Sequence, residues 1–277
     1  MLLGKLIRMN RLFNQKSGRM ITVSMDHTVS YGVVPGLDSI QKTIDVIVGA
    51  CPDAIMTHKG IAEHCFTPHA GKLGFILQSV VSNPYQPIDE HLIVDVSEAI
   101  ALGADAISVA ITVGGDDQAR QTEFLGKIVK EARIVGLPVV VHSYPKGKNI
   151  PENERFSLEN VRYAARVGAE VGVDIVKTYY TGSPDTFAKV VECVPAKVVA
   201  AGGPKIADLN QMLTSVKDII DAGAAGITYG RNIWQDPNPA GVISAIKAIV
   251  HENVDPAQAI EIYSKSSSFI NHFDLSG

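Results

Sequence analysis

Gly172-Val173-Asp174-Ile175-Val176-Lys177 ends one helical stretch and opens one strand. The glycine suits a helix C-cap in the left-handed region, and a short apolar run begins at once. The same phrase occurs as Ala50-Cys51-Pro52-Asp53-Ala54-Ile55-Met56, as Gly103-Ala104-Asp105-Ala106-Ile107-Ser108 and as Gly223-Ala224-Ala225-Gly226-Ile227-Thr228. Each copy reads as the helix-to-strand junction of a βα unit. Four more short, β-branched apolar runs lie between them: Ile21–Met25, Gly74–Gln78, Pro138–His142 and Lys197–Ala201. The spacing therefore predicts eight strands, centred near residues 23, 55, 76, 107, 140, 175, 199 and 227. The amphipathic stretches Leu37–Val48, Gln118–Val135, Leu158–Val171 and Asn210–Ala222 separate most of them. Such alternation predicts an α/β chain folded as one (β/α)8 TIM barrel over residues 1–277. A doubly wound open sheet is the competing architecture. It needs a glycine-rich loop after the first strand, and Met25-Asp26-His27-Thr28 is not one.

Composition narrows the function classes. Hydrophobic residues at 46% and charged ones at 19% are enough for a large core. A net charge of -4 supplies no basic field, so no nucleic-acid partner is expected, and any bound phosphate needs local donors. Cys51, Cys65 and Cys193 are odd in number and show no CxxC spacing. A disulfide framework is therefore not expected, and a reducing, cytoplasmic location is. Residues 1–20 carry basic side chains at short intervals and no continuous apolar centre, so they read as a short amphipathic helical extension and not as a signal peptide. No apolar run is long enough to span a bilayer, so no membrane role is expected. The tail past about residue 250 shows helical periodicity at Pro256–Ser264, expected to pack on the barrel exterior or on a neighbouring subunit.

In a barrel the C-terminal strand ends converge on one face, which carries the active site. Here those ends read Asp26-His27, Thr57-His58-Lys59, Gln78-Ser79, Thr112-Val113-Gly114-Gly115-Asp116, His142-Ser143-Tyr144, Lys177-Thr178, Gly202-Gly203 and Gly230-Arg231. Titratable and anion-binding residue types thus collect at one place. Gly202, Gly203 and Gly230 let backbone N–H groups approach an anion, and Arg231 adds a charge-assisted donor. That pair of turns after the last two strands predicts a phosphate site. The alternative for Gly202-Gly203 is a tight turn alone.

Lys177 stands one strand before that site, at the end of a run that reads as buried on both faces. A lysine there is costly unless its ammonium is paired or its pKa is depressed, and a depressed amine can attack a carbonyl. Its ordinary alternative is an amine pointed at water beyond the strand end. Tyr144 and Asp26 are the candidate proton carriers. A pocket-wall aromatic and a turn or cap are their ordinary alternatives. His27, His58 and His142 raise a metal-dependent lyase as a competing hypothesis, although none sits in an HxxxH or HxH spacing. A non-catalytic barrel that binds a phosphorylated sugar is a third. Lys59 is a candidate contact for a second phosphate or polar group, or else faces solvent.

Met25-Asp26-His27, Thr57-His58-Lys59-Gly60, Tyr144-Pro145-Lys146-Gly147, Asp174-Ile175-Val176-Lys177-Thr178, Ala201-Gly202-Gly203-Pro204-Lys205 and Gly230-Arg231-Asn232-Ile233 follow in this order. As a set they resemble the archaeal-type class I fructose-bisphosphate aldolase family (DeoC/FbaB-like aldolases), with the 2-amino-3,7-dideoxy-D-threo-hept-6-ulosonate synthases as the nearest branch. The resemblance implies a Schiff base on Lys177, proton transfer by Tyr144 and acid–base work by Asp26. It implies phosphate binding at Gly202, Gly203, Gly230 and Arg231, with His27 and Lys59 as further substrate contacts. No metal or other cofactor is implied. The expected substrates are a phosphorylated sugar or ketose and a small aldehyde, and the expected assembly is a homo-oligomer, decamers being common in the family. Relatives also include aldolases that join dihydroxyacetone phosphate to aspartate semialdehyde and a thiolase acting on a phosphorylated diketone. Thr28, Tyr31 and the Thr228-Tyr229 pair depart from the branch pattern around the pocket mouth, where the aldehyde is chosen.

Overall fold

The structure, a computed structural model, describes residues 2–270, with side chains through residue 266. Eight strands close a parallel barrel: β1 Met20–Ser24, β2 Ala54–Thr57, β3 Gly74–Gln78, β6 Ala106–Val113, β7 Val139–Pro145, β8 Ile175–Tyr179, β9 Lys197–Ala201 and β10 Gly226–Tyr229. Barrel order follows chain order, and β10 returns to pair with β1, with Met20 opposite Gly226. Each expected strand is one of these eight. The helices Ile40–Gly49, Gln118–Val135, Leu158–Glu170, Leu209–Asp221 and Pro239–Glu252 cover the outside. Helix Pro256–Ile270 packs against Pro239–Glu252 and Leu209–Asp221, so the tail sits on the barrel exterior.

One element was not anticipated. Between β3 and β6 the chain makes an antiparallel hairpin, β4 Val80–Asn83 with β5 Gln86–Leu92, and only a short helix, Val96–Ala101. The Asn83-Pro84 turn signal was present. However, β5 alternates with mostly exposed polar residues, so its apolar content falls below that of the barrel strands.

The barrel floor explains the repeated junction phrase. Each inner strand side is set by alternation. Met20, Met56, Ile76, Val140, Ile175 and Val199 form a buried inner layer, closed by Leu12 and Phe13 from helix Leu3–Leu12 and its exit. Truncating a buried leucine such as Leu12 to alanine costs about 2–5 kcal/mol. The aspartates of the phrase hold this floor. Asp53 accepts from the Ile21 N–H at 2.7 Å, Asp105 from Phe75 at 3.1 Å and Asp174 from Val139 at 3.0 Å. Lys5 pairs with Asp174 at 2.8 Å and Arg11 with Asp105 at 3.1 Å, so the N-terminal helix is bolted across the strand starts.

The junction also requires a left-handed residue. Gly103, Gly172 and Gly223 supply it at φ 75, 98 and 87°. In the first copy Cys51 adopts φ 53° instead, with Lys247 Nζ donating to its carbonyl at 2.9 Å. A side chain in that region is strained. Cys51→Gly is expected to raise stability by about 0.5–1 kcal/mol, the entropy of glycine in the unfolded chain offsetting part of the relief. Urea unfolding followed by circular dichroism checks it: the midpoint moves up, and an unchanged or lower midpoint refutes the strain.

Candidate active site

The alternation that builds the floor also aims the upper residues inward. Lys177 lies two residues above Ile175 on β8, and His142 and Tyr144 lie two and four above Val140 on β7. His142 and Lys177 are register partners. Lys177 is 6% exposed, and its Nζ donates to Ser24 Oγ at 3.2 Å. Burial pushes its pKa down to about 8, against the pull of Asp26, which favours the ammonium.

Asp26 accepts from Gln78 Nε2 at 3.0 Å. Burial acts to raise its carboxyl, but His27, which is charged in the acid range where this carboxyl would take a proton, and the Lys177 ammonium prevail and hold it well below the usual carboxylate range. Burial pushes His27 down to about 4, so at neutral pH its imidazole is uncharged. Its ring packs edge-on against Trp234, with centroids 5.3 Å apart. Burial, and next the Lys177 charge, hold His142 well below its ordinary value as well, with Nε2 placed 2.9 Å from Ser108 Oγ. The Tyr144 ring stacks on Tyr179 at 4.5 Å. Burial, followed by the neighbouring Tyr179, raises the Tyr144 phenol far above its ordinary value, so it stays protonated and able to donate.

The two glycine turns are built as one unit. Asn232, buried, donates from Nδ2 to Gly202 O at 2.7 Å and to Pro204 O at 3.2 Å, and accepts from the Ile206 N–H. Gly203 has φ 65°, a region that favours glycine, and a Cβ on Gly230 would stand 2.6 Å from the His27 ring, so glycine is required at that second position. Arg231 lies over the Tyr31 ring at 5.4 Å. Its Nε is buried and makes no hydrogen bond, and among the described residues no carboxylate pairs with it. A buried donor left in this condition is costly, and an anion relieves it.

Two adjoining cavities result. One, of about 100 Å³, is walled by Asp26, His58, Gln78, Glu90 and His142. The other, of about 90 Å³, is walled by Ser24, Tyr179, Gly202, Gly203, Gly230 and Arg231. They are called here the carboxylate cavity and the glycine cavity. Lys177, Tyr144, His27, Tyr31 and Lys146 border both. A wider concavity, about 680 Å³, opens by the strand starts near Arg11, Asp53 and Asp105, away from all of these groups.

The structure thus brings Lys177, Tyr144, Asp26, His27, Gly202, Gly203, Gly230 and Arg231 together. Lys59 stands apart from this group. Its Nζ is committed to Glu98 at 2.8 Å and Ile93 O at 3.2 Å, and it borders neither cavity. His58, extended at φ -78 and ψ 159°, takes the inward position, so the next side chain points away. Sequence reasoning gave no role to Tyr31, Gln78, Glu90 or Lys146, all of which border the carboxylate cavity. The strand-end rule had placed Gln78 on the rim without assigning it a contact, and the position two after Tyr144 points to Lys146. Glu90 depended on the hairpin. Among the described residues no three His, Cys, Asp or Glu side chains gather as a metal site. No described helix is long and apolar enough to cross a membrane.

A parallel barrel that buries a lysine beside two glycine turns and Arg231 has the parts that a lysine-dependent carbonyl enzyme requires. Residues 20–236 match the DeoC/LacD family aldolase model, and the chain belongs to that family. It is 34% identical to a 2-amino-3,7-dideoxy-D-threo-hept-6-ulosonate synthase of Halobacterium salinarum, over 93% of this chain and 95% of the relative. Identity to synthase 1 of the same name from Archaeoglobus fulgidus is 33%, over 94% and 96%. Among solved structures, an archaeal fructose 1,6-bisphosphate aldolase superposes with a TM-score of 0.82 at 29% identity, covering 90% of this chain and 99% of that one. Another, at the same TM-score and identity and covering 89% and 99%, holds its catalytic Lys covalently bound to the carbinolamine intermediate of the substrate. The chain is a class I, Schiff-base aldolase, a chemistry that uses a covalent lysine bond and no metal cofactor.

Proposed function

We propose that Lys177 forms the Schiff base, on a phosphorylated ketose whose phosphate lies against Gly202, Gly203, Gly230 and Arg231. The observation that carries this reading is a buried lysine, its pKa brought down to about 8, bordering the same cavity as an arginine whose buried Nε has no hydrogen-bond partner. The free amine adds to the ketose carbonyl, and loss of water leaves an iminium. In cleavage, Asp26, held as a carboxylate, takes the proton of the hydroxyl on the far side of the breaking bond. That hydroxyl carbon leaves as an aldehyde, and the bonding electrons pass into the iminium to give an enamine. The Tyr144 phenol gives a proton to the enamine carbon and is reprotonated from Asp26 across their shared cavity, and water releases the ketone from Lys177. Run in reverse with a small aldehyde, the enamine makes the new bond.

The higher identity to the synthases than to the fructose-bisphosphate aldolase favours the synthase-type transaldolase reaction among the family's chemistries. Sodium borohydride added with dihydroxyacetone phosphate or fructose 1,6-bisphosphate tests the reading, with the adduct located by peptide mass. An adduct on Lys177 supports it. Turnover without an adduct, or an adduct on another lysine, overturns it. The free thiols of Cys51, Cys65 and Cys193 suit a reducing compartment, and we assign the protein to the cytoplasm. Leu3, Leu6 and Ile7 on the first helix and Ile134 nearby are exposed apolar side chains, which suits burial against further copies of this chain in a homo-oligomer.

A further inference from the structure

Hairpin β4–β5 takes no part in the lysine chemistry, yet Ser82, Pro87 and Glu90 wall the carboxylate cavity. It is a fixed wall. Ser82 Oγ lies 2.9 Å from Ser30 Oγ, Gln121 donates to Ile88 O at 2.8 Å, and Arg120 donates to Glu90 O at 3.1 Å. From the end of β7, Lys146 reaches onto this wall. Its Nζ donates to Pro87 O at 3.1 Å and stands 3.9 Å from Glu90 Oε1. Glu90 is 5% exposed. Burial pushes Glu90 up and Lys146 down, while each pulls the other back toward its charged form. Whether the proton sits on the amine or on the carboxyl, the pair carries no net charge.

The two cavities therefore differ in kind. In the carboxylate cavity each lysine faces a carboxylate: Lys177 is balanced by Asp26 and Lys146 by Glu90. In the glycine cavity Arg231 has no such partner among the described residues. A phosphate is welcomed at one end. At the other it would meet a cation already engaged, with a buried carboxylate beside it. Repulsive elements of this sort set specificity as effectively as attractive ones.

We propose that Glu90 is a specificity-determining residue: by occupying Lys146 it reserves the carboxylate cavity for an aldehyde that carries no phosphate. The two substrates together then bring a single phosphate, held at Arg231. This rests on the lysine chemistry proposed above.

The test measures kcat/KM for glyceraldehyde and for glyceraldehyde 3-phosphate, with dihydroxyacetone phosphate as the common partner. Wild type is expected to prefer the unphosphorylated aldehyde. Glu90→Gln removes the carboxylate beside Lys146, leaving its bond to Pro87 O, and is expected to move the ratio toward the phosphorylated aldehyde by about tenfold or more, mainly through KM. Lys146→Met removes the cation, keeps the carboxylate and is expected to move the ratio the other way, so the idea stays testable if either variant fails to fold. Equal or better use of glyceraldehyde 3-phosphate by wild type overturns the proposal, as does an unchanged ratio in the folded variants. Borohydride trapping on the same samples separates the two levels. No adduct in wild type brings down the lysine chemistry, whereas an adduct with an unchanged ratio brings down the role of Glu90 alone.

Discussion

Lys177→Met loses turnover by about four orders of magnitude or more, and with it the borohydride adduct. Methionine fills most of the lysine volume, so the loss reports the amine and not a cavity. The wild-type pH dependence gives a second, independent check. A lysine at its ordinary pKa is free amine in about one molecule in three thousand at pH 7. With the pKa at about 8, that share is about one in ten. The sign follows from the chemistry, since the protonated form cannot attack. The rate of adduct formation at subsaturating ketose phosphate should rise about tenfold per pH unit below about 8 and level off above it. A rise that continues unbroken to pH 10 would mean that burial does not depress this amine. Retained turnover in Lys177→Met would remove it from the chemistry.

Tyr144→Phe lowers kcat by about 10²- to 10⁴-fold while the adduct on Lys177 still forms. The split follows from geometry. Phenylalanine keeps the ring stacked 4.5 Å from Tyr179, so the wall shared by the two cavities stays in place. What is lost is a phenol that burial keeps protonated across the neutral range. Exchange of the ketose α-proton with deuterium oxide, followed by NMR, isolates this step from carbon–carbon cleavage. Exchange in Tyr144→Phe should fall in proportion to kcat. Exchange at the wild-type rate would assign the proton to another group, Asp26 first among those bordering the same cavity.

The barrel was legible because its signals are local. A left-handed junction residue followed by a short apolar run recurs along the chain, and even Cys51 at φ 53° kept the register that glycine marks elsewhere. Lys177, Tyr144 and the glycine turns were legible because the fold turns strand ends into a common rim. Lys59 borders neither cavity although the same rule singles it out: the rule finds the rim, but which of two neighbours faces in is decided locally, and His58 does. Glu90 was missed because its placement is not local. It reaches the pocket through a hairpin held by Ser30, Arg120 and Gln121, side chains distant in sequence from β5. Nor does charge pattern reveal that Lys146 is engaged and Arg231 is not. That distinction exists only after burial has chosen the neighbours.

The helix bolted across the barrel floor has a consequence for how the chain comes to be folded. Lys5 and Arg11 are made well before their carboxylate partners, which stand 169 and 94 residues later. The seam between β1 and β10 is another late joint, since Met20 waits for Gly226. The opening segment therefore spends most of synthesis with its apolar face unclaimed, and contacts of such long range form slowly. In the folded chain the seam is closed, Leu12 and Phe13 lie in the floor, and the strand ends form the ring in which Lys177 and Asp26 border one cavity. The ring around Lys177 is therefore complete only once these long-range joints have formed.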